Sequence, residues 1–121
     1  MEMNNVNVID IIKGITASGL PFMEGKEKLE TSAILNTIVN VNEFDFMNGD
    51  DGEYVVFTTK EYPDNFFYGS SVTTESFKKL VEKIDEKTLQ GVLEFGLPCK
   101  FTELMSKNKR KYIRVIFYPN N

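Results

Sequence analysis

Between Ile38 and Tyr68 the sequence is written with a two-residue period interrupted by turn residues, and this pattern restricts the chain to a β-rich fold. Ile38, Asn40, Asn42, Phe44 and Phe46 alternate with Val39, Val41, Glu43 and Asp45, the spacing that sends successive side chains to opposite faces of a strand. Asn48, Gly49, Asp50, Asp51 and Gly52 follow as a dense turn, because Gly and Asn tolerate positive φ and Asp bonds its own backbone. Tyr54 to Thr59 (YVVFTT) is a second strand of β-branched and aromatic residues. Pro63, Asp64 and Asn65 turn the chain again, and Phe66, Phe67 and Tyr68 form a third strand ended by Gly69.

The period then changes. Phe77, Leu80, Val81 and Ile84 repeat at helical spacing, with Lys78, Lys79, Glu82 and Lys83 on the other side and Thr73 or Thr74 as the cap. Asp85 to Gly91 reads as a loop or a continuation of that helix. Pro98 to Leu104 and Tyr112 to Tyr118 are two more strands, with the basic run Lys107 to Lys111 as the hairpin tip between them. Upstream, Val8, Ile11, Ile12 and Ile15 place a short amphipathic helix over Val6 to Ala17, stopped by Gly19 and Pro21. Gly25 to Glu30 (GKEKLE) is an exposed connector. Residues 1–121 thus read as one domain, with 1–30 as N-terminal helix and connector. Its order of three strands, a helix and two strands is that of the five-stranded OB-fold, a small Greek-key barrel, here with an extra N-terminal helix. A β-sandwich or a flat sheet with one helix gives the same order.

The chemistry open to such a chain is narrow. The sequence has no histidine and one cysteine, Cys99, so His-based triads and His/Cys zinc sites are excluded, and Cys99 reads as a small core residue. Asp50, Asp51 and Glu53 lack the spacing of a calcium loop, and Glu61, Glu75 and Glu94 form no recognisable acid pair. No glycine-rich phosphate loop is present. The expectation is a binding protein without metal, cofactor or enzymatic activity. The 41% hydrophobic and 26% charged composition argues against wholesale disorder. A polar Met1 to Asn7, the absence of an apolar run of about 20 residues and the unpaired cysteine lead to the expectation of a cytoplasmic protein.

Charge is distributed unevenly. Lys100, Lys107, Lys109, Arg110, Lys111 and Arg114 face a single acid, Glu103, within fifteen residues, so this stretch carries +5. The whole chain is at −4, which leaves −9 elsewhere. A cationic hairpin on an otherwise acidic protein is suited to a polyanion, since local fields govern the encounter. OB-folds bind oligonucleotides on strands two and three and on the loops joining strands one to two and four to five. Those places hold Tyr54, Phe57, Lys60, Phe66, Phe67 and Tyr68, together with the tip.

Single-stranded DNA is held by bases stacked on aromatic rings and by phosphates meeting Lys or Arg. The candidate contacts are therefore Tyr54, Phe57, Lys60, Phe67, Lys107, Lys109, Arg110, Lys111, Tyr112 and Arg114. Alternation sets Val55, Phe57 and Thr59 against Tyr54, Val56 and Thr58, so some of these aromatics are core; Tyr54, Phe67 and Tyr112 are the ones expected outside. In the last strand Ile113, Val115 and Phe117 share the core face, and Tyr112, Arg114, Ile116 and Tyr118 the other. The plainer reading is that the rings pack inward and the tip is merely solvated.

The stretch EYVVFTTKEYPDNFFYGSSVTTESFKKL from Glu53 to Leu80, with the closing KNKRKYIRVIFYP, resembles small phage or prophage single-stranded DNA-binding proteins of Gram-positive hosts. The similarity spans Ile38 to Pro119, about two thirds of the chain. It implies an OB-fold, a role in phage replication or recombination beside the proteins of those processes, and self-association as a dimer or higher. Many such proteins end in an acidic recruiting tail, whereas Tyr118, Pro119, Asn120 and Asn121 stand here. The competing expectation is a phage interaction or structural module that docks through Ile11, Ile12 and Ile15.

Overall fold

The computed structural model describes residues 20–118, so the helix expected over Val6 to Ala17 lies outside the described residues. Six strands form one mixed sheet in the order β1-β4-β3-β2-β5-β6. They are β1 (Glu27–Lys28), β2 (Ile38–Gly49), β3 (Gly52–Thr59), β4 (Asn65–Tyr68), β5 (Leu97–Met105) and β6 (Lys111–Phe117). Two helices, α1 (Ser71–Lys83) and α2 (Glu86–Phe95), come between β4 and β5. The mainly-β class holds, and so does the order of the five expected strands.

The closed barrel does not. The sheet is open, with β1 and β6 at its edges, and it has six strands rather than five. The added strand β1 lies in the segment read as a connector. It is held mainly by backbone bonds (Glu27 N–H to Asp64 O at 3.0 Å, Leu29 N–H to Phe66 O at 2.9 Å), with the Asn65 side-chain amide donating to the Glu27 carbonyl at 3.2 Å. It runs parallel to β4, and its two exposed residues carry no apolar signature. The Asp85 to Gly91 stretch is neither a loop nor the end of the first helix. Asp85 accepts from the Thr88 N–H at 2.8 Å and starts a separate helix.

The hairpin β2–β3 is set by the expected turn, with Gly49 opposite Gly52 and Phe44 opposite Phe57. The pairing slips between Val41 and Glu43, a β-bulge, and a bulge bends the strand that carries it. Up to the bulge β2 also pairs with β5, Ile38 to Lys100 and Val41 to Leu97. Beyond it, among the described residues, residues 43–49 have β3 on one side only.

One face of the sheet carries the main core. Ile34, Val39, Val41, Val55, Phe57, Phe67, Phe77, Leu97, Cys99, Phe101 and Val115 are buried together. Phe57 is its centre, stacked on Phe67 (5.2 Å between centroids), Phe77 (5.8 Å) and Phe101 (5.0 Å). Thr73 and Thr74, expected as caps, are instead buried inside the first turn of α1, and Ser70 is the cap. Thr74 Oγ1 accepts from the Val55 N–H at 3.0 Å, and the Thr73 hydroxyl donates to the Ile113 carbonyl at 3.0 Å. The helix start is thereby tied to β3 and β6. Gly69 makes room for this junction, because a Cβ there would lie 2.4 Å from Val55 Cγ1. On the reverse face a smaller cluster of Met23, Val56 and Phe66 packs with Phe22, Met47, Tyr54 and Tyr68.

Cys99 is buried in the main core, as expected. Burial pushes its thiol up to about 12, because the thiolate loses solvation. At pH 8 the native protein should leave a thiol reagent unconsumed, while the urea-unfolded chain reacts with one equivalent. Rapid labelling of the folded protein would contradict the core assignment.

Among the described residues no helix is long and apolar enough to cross a membrane, and no group of three or more Asp, Glu, Cys or His is placed to hold a metal ion.

Candidate nucleic-acid interface

β5 and β6 form a hairpin in full register, Cys99 opposite Phe117 through Met105 opposite Lys111. Alternation divides its side chains between the two faces of the sheet. Phe101, Val115 and Phe117 face the helices and pack in or against the core. The opposite face carries Lys100 beside Ile116, Thr102 beside Arg114 and Leu104 beside Tyr112. Ile38, 54% exposed, extends this strip onto β2 as the partner of Lys100. Arg114 is exposed, and Lys100, Leu104, Tyr112 and Ile116 are half-buried.

The strip is therefore a shallow surface of two cations, one aromatic ring and several aliphatic groups. Glu103, the one acid of this stretch, pairs with Ile113 on the other face. At the far end Asn40 takes Glu61 as partner, donating to it from its backbone N–H at 2.8 Å and its side-chain amide at 2.7 Å. At the near end is the basic tip. Ser106 and Arg110 close it, the Ser106 N–H donating to the Arg110 carbonyl at 2.8 Å and the Arg110 N–H to Ser106 Oγ at 3.2 Å. Lys107, Lys109, Arg110 and Lys111 are all exposed.

The structure thus brings together Lys107, Lys109, Arg110, Lys111, Tyr112 and Arg114 of the expected site, and it separates the other four. Phe57 and Phe67 are fully buried, both at 0% exposure, and are register partners beneath the helices. Neither ring is available to stack a base, which corrects both expectations. The outward expectation for Phe67 required Phe66 and Tyr68 to face the main core. They face the reverse cluster instead.

Tyr54 is on the same face as the strip but far from it. Its partner on β2 is Met47, nine residues from Ile38, about 30 Å of strand. Its ring already meets Tyr68 edge-on at 5.0 Å, and Lys28 lies over Tyr68 at 4.9 Å. Burial, and after it the neighbouring Tyr68, holds the Tyr54 hydroxyl above its ordinary range. Lys60 is exposed but engaged: its Nζ donates to the Phe95 carbonyl at 2.8 Å, the end of α2 where a cation is favoured.

Lys100, counted in the cationic stretch but not among the candidate contacts, joins the strip with Leu104 and Ile38. Counting back along the hairpin from its tip locates the first two. Ile38 requires knowledge that β2 pairs with β5, which no local pattern provides.

No protein-family model, curated protein or solved structure matches the chain.

Proposed function

We propose that this protein binds single-stranded DNA with little sequence preference, laying the strand along the outer face of the β5–β6 hairpin and against its cationic tip. The observation that carries the reading is the register: Lys100, Tyr112 and Arg114 share one accessible face from which Glu103 is excluded. Phosphates meet Lys100, Arg114 and the tip, and a base stacks on Tyr112 next to the Arg114 guanidinium. Leu104 and Ile116 offer apolar contact to further bases or sugars. The Thr102 and Tyr112 hydroxyls are neutral hydrogen-bonding groups of the strip, too few to read base edges. The succession of strands, helices and strands accords with the order of an OB-fold even though the sheet is open. The setting we propose is phage-type replication or recombination, in keeping with the resemblance from Glu53 to Leu80.

Tyr112→Ala tests the stacking contact. One stacked base contributes on the order of 1 to 3 kcal/mol, so affinity for a dye-labelled oligothymidine, read by anisotropy, should fall about 5- to 150-fold. Tyr54→Ala should leave it nearly unchanged. Equal effects of the two substitutions would remove the β5–β6 face from the site.

A further inference from the structure

At the other end of the sheet lies a surface of opposite character. A groove of about 830 Å³ runs between β2 and the α1–α2 corner, floored by Phe44, Phe46, Ile84, Leu89 and Leu93. Asp45, Glu82, Asp85 and Glu86 line it. A shallower groove continues from it past Phe22, adding Glu43 and Glu94. Among the described residues no Lys or Arg lines either one. Lys78, whose amine is 5.7 Å from the Phe46 ring, is paired with Glu53. Hydrogen bonds from Thr88 keep the Asp85 carboxyl below the usual carboxylate range, so its charge persists in mildly acidic solution. The groove also borders residues 43–49, the part of β2 that, among the described residues, has a strand on one side only.

The basic hairpin cannot reach this groove in its own molecule. Val41 is level with Leu97 and Ile38 with Lys100, so β5 runs towards its tip in the direction opposite to Phe44 and Phe46. Three to five residues one way and nine or more the other separate the two by about 40 Å of strand. A second copy has no such restriction. Its hairpin carries Met105, 59% exposed, at the end of β5 opposite Lys111, with Lys107, Lys109 and Arg110 on the loop beyond. A cationic tip with an exposed apolar side chain at its base is the complement of an apolar floor lined by acids.

We propose that the protein self-associates head to tail, the β5–β6 tip of one copy seated in the acidic groove of the next. The contact is heterologous, so every open assembly keeps one free tip and one free groove at its two ends, and growth continues until it closes into a ring or extends as a filament. Because the tip is also part of the proposed DNA site, DNA and the neighbouring copy compete for it.

Sedimentation velocity of the full chain without DNA tests this. The weight-average sedimentation coefficient should rise with protein concentration at about 0.1 M salt. It should return to the monomer value at about 1 M, where the reach of charges falls from roughly 10 to roughly 3 Å. Two charge reversals sharpen the test: Lys107→Glu, Lys109→Glu and Arg110→Glu in one variant, and Glu43→Lys, Glu82→Lys and Glu94→Lys in another. Each variant alone should be monomeric with an unchanged circular dichroism spectrum, and their equimolar mixture should associate again.

A wild type that stays monomeric overturns the proposal and leaves the groove to a basic peptide of another protein or to residues 6–17 of its own chain. Association that survives the groove reversal, or a mixture that stays monomeric, overturns it too. The groove variant keeps its tip, so its binding to oligothymidine, measured separately, reports on the DNA reading whatever the outcome for self-association.

Discussion

Phe57→Ala is expected to remove most of the stability of the fold, shifting the urea midpoint far down or abolishing the cooperative transition altogether. Phe57 is fully buried and stacked on three other phenylalanine rings contributed by β4, α1 and β5. Truncating such a ring forfeits its transfer free energy and opens a cavity between elements too constrained to close it, about 3 to 5 kcal/mol. Small folds have roughly 5 to 15 kcal/mol in total, so the loss consumes a large share. The same substitution at a base-stacking residue on the surface would leave the midpoint nearly in place and lower affinity only. A stable Phe57→Ala protein with impaired DNA binding would therefore reverse the assignment of this ring to the core. The midpoint followed by circular dichroism decides between the two.

The second large effect is expected at the other extreme of exposure. Replacing Lys107, Lys109, Arg110 and Lys111 together with alanine should leave the urea midpoint almost unchanged, since all four are solvent-exposed, three on the loop closed by Ser106 and Arg110 and Lys111 at the start of β6. DNA affinity should collapse. Each phosphate contact to a single strand contributes about 0.7 to the slope of log K against log salt. Four lost contacts flatten that slope by nearly 3 and weaken binding at about 0.1 M salt by several hundredfold. An affinity reduced without any change of slope would mean that the tip acts through shape and not through charge.

The two sets of residues differ in how plainly the sequence announced them. In β6, Arg114 interrupts an otherwise apolar run, so the alternation of Tyr112, Arg114 and Ile116 with Ile113, Val115 and Phe117 has one readable outer face. That face is where the structure has it. YVVFTT and NFFY contain no such break. Both faces of β3 and β4 are apolar because both are covered, by the helices on one side and by Met23 and its neighbours on the other. Alternation then separates Phe57 from Val56 without telling which is nearer the main core, and Phe57 and Phe67 were open to misplacement for that reason.

Strand positions and turns were legible because they depend on neighbours in sequence. The openness of the sheet lies in its edge strands, β6 and the short β1, whose two polar residues are held mainly by main-chain bonds. The release of residues 43–49 from β5 lies in the bulge at Val41 to Glu43. Neither β1 nor the bulge leaves a side-chain pattern. The acidic groove escaped notice because its walls come from β2, α1 and α2, brought together only by the turn at Asp85.

Everything proposed about function depends on a polyanion lying where Tyr112 and the cationic hairpin meet, and intrinsic fluorescence reads that directly. The chain has five tyrosines and no tryptophan, so titrating it with unlabelled oligothymidine should quench tyrosine emission to saturation. The affinity should fall linearly in log salt, and Tyr112→Ala should remove a large part of the quench. Tyrosine emission unaltered by excess oligothymidine at low ionic strength would contradict the account at its centre.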